Sequence, residues 1–107
     1  MAKNEFGVQL DRNGYAPSII SNKLVCHRCE RTNGKLDRHE VFHGPYREKS
    51  KNLGCWIYLC HECHMDLHNT DSEYDYRLKA EAEEYALDYY GWSVAEFRRR
   101  FGKNYIF

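Results

Sequence analysis

Residues 55–69 read CWIYLCHECHMDLHN, and this stretch decides the fold. The run Cys55 to Leu59 has the length and apolarity of a buried strand. It ends on the knuckle Cys60-His61-Glu62-Cys63, after which the period turns helical, with His64 and His68 four apart on one face. A matching knuckle, Cys26-His27-Arg28-Cys29, lies upstream. Two Cys-x-x-Cys turns offer four thiolates, the set a tetrahedral zinc ion prefers, so Cys26, Cys29, Cys60 and Cys63 are expected to hold a structural Zn2+. The competing readings are unrelated buried cysteines or a redox dithiol. Neither pair sits in a βαβ pattern, which speaks against redox. Cys55, beside Trp56, reads as an ordinary buried residue.

Outward from the knuckles, the pattern predicts an α+β single domain over 1–107. Residues 1–25 form a strand-and-loop extension, 26–69 a zinc-stapled ββα core, and 70–107 two C-terminal helices. In the extension, Phe6, Val8 and Leu10 alternate with polar residues as in a short strand, and Asp11 to Gly14 reads as a turn. The interval between the knuckles is longer than a compact ribbon needs, so it is expected to carry a hairpin of its own. Lys35 to Phe42 is its strand, broken by Gly44-Pro45. Thr70 with Glu73 reads as a capping box for a helix packing Tyr74, Leu78, Ala82, Tyr85 and Tyr89 into the core and stopped by Gly91. Ser93 with Glu96 starts a last helix carrying Val94, Phe97 and Phe101, ended by Gly102.

At 107 residues the chain is one domain, which excludes a multidomain enzyme with a deep enclosed pocket. A mean hydropathy of −0.84 means a small core, while 15% aromatic content argues against disorder. No run of about 18 apolar residues is present, so no membrane span is expected. The opening MAKNEFGVQLDRNG lacks an apolar secretory core, which makes the cytoplasm the default compartment. Net charge is zero but uneven: residues 23–51 are net basic, 62–88 strongly acidic, and the tail with Arg98, Arg99, Arg100 and Lys103 basic again. Either these are solvated faces, or the basic strip meets phosphate, with Arg28, Arg31, Arg38, Arg47, Lys49 and Lys51 as the contacts.

The histidines carry the chemistry. A helix starting at the second knuckle sets His64 above His68, a spacing that suits two imidazoles on one divalent ion. His39 ends the strand LDRHEVF, and the zinc staple would hold it opposite that pair. A base, two ion ligands and a rigid frame are what metal-assisted hydrolysis needs. The alternative is that some of these rings bind the structural zinc or decorate the surface. His27 and His61, inside the knuckles, read as solvent-facing; His43 is open to either face.

DRHEVFHG followed by YLCHECHMDLH, with the earlier CHRC, resembles the HNH or His-Me finger (ββα-metal) nucleases in their zinc-knuckled form. The likeness is to phage-encoded members, including resolving enzymes of the endonuclease VII kind, and it covers Cys26 to His68. It implies a treble-clef-like core that cuts DNA phosphodiester bonds with Mg2+ or Mn2+, in a phage-encoded protein acting in the host cytoplasm. Carried over by position, His39 is the general base, His64 and His68 bind the catalytic ion, and Asn52 is the bracing Asn. The family has Asp or His as ion ligand just before the base, and this chain has Arg38. Either Asp37 reaches the ion from one residue further back, or the register moves by one, with His39 as ligand and Glu40 as base. The first is preferred, because a carboxylate is the poorer base near neutral pH. Arg38 is then free to contact the scissile phosphate. A monomer would nick DNA and a homodimer would cut both strands. The rival reading keeps the frame without the chemistry: an inactive zinc-stapled module binding nucleic acid or protein, favoured by Arg38 and the zero net charge, with the acidic helix over 71–88 as its protein-facing surface.

Overall fold

The computed structural model describes residues 2–106. Among them the chain forms a small α+β fold, a two-stranded sheet with four α-helices. Strand β1 (Leu36–Glu40) pairs antiparallel with β2 (Trp56–Cys60), setting Leu36 opposite Cys60 and Glu40 opposite Trp56. Between them Gly44-Pro45 ends the extended chain as expected. A 3-10 turn (Gly44–Tyr46) then runs into the short helix α1 (Arg47–Asn52). The interval between the knuckles therefore holds β1, α1 and all of β2 but its last residue. The hairpin expected inside it forms, as β1 with β2, closed by this connector.

Two polar devices make the tight return possible. The buried Ser50 hydroxyl donates to the Cys55 carbonyl at 2.5 Å and accepts from the Phe42 N–H at 3.1 Å, satisfying backbone groups that water cannot reach. Gly54 has φ +77°, and a Cβ there would lie 2.4 Å from the Pro17 carbonyl, so only glycine fits.

Helix α2 (His61–Asn69) begins inside the second knuckle rather than after it, because Cys60 already has the extended conformation of an N-cap. Helix α3 (Ser72–Tyr90) is capped by Asp71, whose carboxylate accepts from the Tyr74 N–H at 3.0 Å. The Thr70 hydroxyl, expected in that role, donates back to the Asp66 carbonyl at 3.1 Å. The buried face of α3 is Leu78, Ala82, Glu83 and Ala86, whereas Tyr85 and Tyr89 are 42% and 61% exposed. The small Ala86 takes the core position and lets the helix approach its neighbours closely; the tyrosines keep their hydroxyls wet. Helix α4 (Val94–Phe101) has the predicted Ser93 cap and the left-handed Gly102 stop. Its Phe97 and Phe101 close the core against Phe42, with ring centroids 5.4 and 4.5 Å away.

The N-terminal segment departs most from expectation. Phe6, Val8 and Leu10 do not form a strand; a single Lys3–Gln9 bridge closes a tight turn instead. Asn4 causes this, its side-chain oxygen accepting from the Phe6 and Val8 N–H groups at 2.9 and 3.0 Å. The Asp11 turn forms as read, and the chain then crosses the sheet, where Ala16 accepts from the Trp56 indole at 2.7 Å. Among the described residues no helix is long and apolar enough to cross a membrane.

Candidate metal centres

The two knuckles meet at one end of the hairpin. The sulfurs of Cys26, Cys29, Cys60 and Cys63 all lie within 4.8 Å of one another, with Cys29 and Cys60 at 3.8 Å. Zinc–sulfur bonds in a tetrahedron put the sulfurs roughly 3.8 Å apart, so the four are positioned to hold a structural metal ion such as zinc. The first knuckle closes through the Glu30 N–H on the Cys26 carbonyl at 2.8 Å, with Glu30 at the left-handed φ of 63°. Burial opposes a thiolate at Cys26, but N–H groups of Cys29, Cys60 and Arg28 outweigh it and pull its pKa down to about 6. Cys55 stands apart from the four, fully buried, its thiol pushed up to about 12 by desolvation.

Helix α2 runs from this end back along β1, and that geometry builds the second cluster. Four helical residues rise about 6 Å and two strand residues about 6.6 Å. His64 and His68 therefore keep step with alternate strand residues. His64 lies beside Asp37 and His39, and His68 beside His39 and, past the end of β1, His43. Ligand atoms of His39, His64 and His68 lie within 4.8 Å of one another. His39 is 2% exposed, and its Nε2 is buried without a hydrogen-bond partner. Burial, followed by the neighbouring His64, His68 and His43, pushes its pKa down to about 3, so the ring is neutral at physiological pH. A buried nitrogen left unpaired costs about 1–3 kcal/mol. A cation shared by the three rings would satisfy it, and the donor set fits one.

No family model, curated protein or solved structure matches the chain. The chemistry of the pocket rests on its own residues. Asp37 stands behind His64 rather than beside the three rings: its Oδ2 lies 3.1 Å from Nδ1 of both His64 and His61. Those bonds, that to His64 first, hold the carboxyl below its usual range. They also leave Nε2 of His64 as the free ligand atom, the usual division of labour in a carboxylate–histidine–metal arrangement. Glu40 is buried at the pocket wall. Its Oε1 accepts from Arg47 Nε at 2.7 Å and its Oε2 from the Tyr15 hydroxyl at 2.6 Å. Glu40, Tyr15 and Arg47 line, with His39, His64 and His68, a hollow of about 390 Å³.

Other expectations fall elsewhere. Asn52 lies at the far end of α1, its carbonyl held by Asn4 at 2.8 Å, and lines a separate hollow. The basic strip is divided. Arg28 pairs with Asp66 and Asp71, and Arg31 approaches Glu62, both near the cysteines. Lys49 donates to the Arg100 carbonyl on the opposite flank. Arg38, Arg47 and Lys51 border the histidine side, together with Lys35. His61 is exposed as expected, whereas His27 is half-buried against Glu81 at 3.1 Å. Sequence reasoning missed Tyr15 and the pair of His43 with Asp75, 3.2 Å apart, which also stand at or behind the pocket. No local signal could have found them, since each is brought in from 25 or more residues away.

Proposed function

We propose that this chain is a metal-dependent endonuclease of the HNH type, a treble-clef-like ββα-metal frame that hydrolyses DNA phosphodiester bonds. The observation that carries the reading is the unpartnered Nε2 of the buried, neutral His39 facing His64 and His68. The geometry favours the shifted register, in which His39, His64 and His68 would hold a divalent ion, and three imidazoles suit a transition-metal ion better than Mg2+. The chemistry these three rings would bring to bear through such an ion is Lewis-acid stabilisation of the charge that builds on the phosphoryl group. Glu40, clamped by Arg47 and Tyr15 at the pocket wall, takes the proton of the attacking water. Asp37 fixes the tautomer of His64, and Arg47 and Lys51 meet the phosphates on either side of the scissile bond.

The test is cleavage of supercoiled DNA by the zinc-loaded chain with and without Mg2+ or Mn2+. Nicking that needs the added ion is expected. Glu40→Gln should lose cleavage yet keep the second ion, while His64→Ala should lose both. Cleavage that survives His64→Ala would defeat the assignment. A second reading, an inactive zinc-stapled binding module, draws on Arg38. It occupies the place the family gives to an ion ligand and is turned away onto Asp11 at 2.7 Å. One tight zinc and no weaker second site, by titration of bound metal, would favour that module.

A further inference from the structure

Three hollows meet at Tyr15 and Arg38, which line all of them. One is the histidine pocket. The second, of about 520 Å³, is lined by Lys35, Arg38, Arg47 and Lys51 and by the Asp37 carboxylate that His61 and His64 engage; Arg38, Arg47 and Lys51 pair with Asp11, Glu40 and Glu48, which leaves Lys35 outside any ion pair among the described residues. The third, of about 350 Å³, is walled by Leu10, Ala16, Pro17 and Trp56 and is mainly apolar. At the junction the Arg38 guanidinium sits in the corner between two rings set at 75°, 4.4 Å from the Tyr15 ring centre and 5.0 Å from that of Trp56. Its other partner is Asp11 at 2.7 Å, and the Tyr15 hydroxyl is tied to Glu40. The stacking surface is thus ordered before anything binds.

We infer that the apolar hollow is a slot for an unpaired nucleobase, flanking the bond that enters the histidine pocket. Its ligand class rests on the nuclease reading. A nucleotide is a charged phosphate joined to a flat apolar ring, and here a cationic trough and an apolar trough lie side by side with Arg38 and Tyr15 on their shared rim. The phosphate is neutralised in the first, while the base stacks on the guanidinium and phenol planes at the second. A paired base inside a duplex cannot reach the slot, because its faces are covered by its neighbours. The preferred DNA is therefore single-stranded or carries an extrahelical base, and it is held without sequence reading, since every base has a stacking face.

The test measures binding by anisotropy, using the zinc-loaded full chain with no added Mg2+ or Mn2+. The probes are a labelled single strand, its duplex, and a series of single strands each with one abasic position. The single strand is expected to bind roughly tenfold tighter than the duplex, and one phased abasic position to weaken it by about as much. Gln9→Trp, at the exposed rim of the hollow, should block the slot and bring single-strand affinity down to that of duplex. Lys35→Ala should weaken both forms alike and reduce the salt slope by about 1. Equal affinity for single strand and duplex, a flat abasic series, or no binding to any DNA overturns the slot. Ion-dependent cleavage with a flat series removes the slot and leaves the nuclease. A phased series without cleavage removes the nuclease and leaves the slot.

Discussion

The cysteine cluster and the histidine cluster sit toward opposite ends of the same hairpin, yet they are assembled differently. The cysteines come as two short-range pairs, each shaped by its own turn, and they are brought together where the first knuckle docks on β2, through the His27 N–H on the Tyr58 carbonyl at 2.8 Å and the pairing of Leu36 with Cys60. The histidines come singly from β1 and from successive turns of α2, and they converge because helix and strand run alongside with matching rise. Identity of residues and spacing is enough for the first cluster, whereas the second depends on an orientation that the first enforces. The contrast predicts that metal at the cysteines governs folding and that changes at the histidines spare it.

Breaking the staple should have the largest effect. Cys60→Ala, or stripping metal with a strong chelator, should abolish cooperative folding at 37 °C, seen as loss of the thermal transition by circular dichroism. Structural zinc sites contribute on the order of 10 kcal/mol, comparable to the whole stability of a small domain. A native melt after chelation would erase the distinction between the clusters. Next in size is the core beneath both. Phe97→Ala should cost about 3–5 kcal/mol by urea unfolding, because the fully buried ring packs on Phe42 and Phe101. A smaller effect sharpens the contrast at the histidine end. Burial favours the neutral form of Asp75, but His43 and Lys79 outweigh it and lower its pKa to about 2. A depressed carboxylate stabilises the fold above its unfolded value near 3.8 and loses that contribution as pH falls toward 2. Asp75→Asn should then cost about 1 kcal/mol at pH 6, and the gap from the unaltered chain should close below about pH 4. The smallest change concerns the first knuckle, where Glu30→Gly should add about 1 kcal/mol by relieving the left-handed backbone at φ 63°.

Legibility followed the range of the interaction that fixes each feature. Helix ends held by local bonds, such as Ser93 onto the Glu96 N–H, were readable because cap and acceptor lie three residues apart. At the start of α3 the same logic was displaced by one residue, since Asp71 outcompetes Thr70 and the Thr70 hydroxyl finds the Asp66 carbonyl. The N-terminal alternation of Phe6, Val8 and Leu10 misled because Asn4 offers its side-chain oxygen to the same backbone groups a neighbouring strand would need. Asp37 is expected among the ion's ligands as a substitute for the one the family sets just before the base, where this chain has Arg38. The structure gives its carboxylate to the back of His64. Asn52 was chosen on order along the chain, which carries no information about the direction in which α1 leaves the sheet.

Two close cysteine pairs, a four-residue histidine step and an apolar strand between them are properties of the chain itself. They were sufficient to require a cross-linked α+β core, because thiolate spacing and helical period act within a few residues. Which nitrogen of His39 is left unpaired, which donors clamp Glu40, and which cations share a wall with the histidines were decided only when distant segments packed. Tyr15 reaches Glu40 across 25 residues and Asp75 reaches His43 across 32. The energy of such contacts comes from removing both partners from water together, and that happens only in the folded molecule.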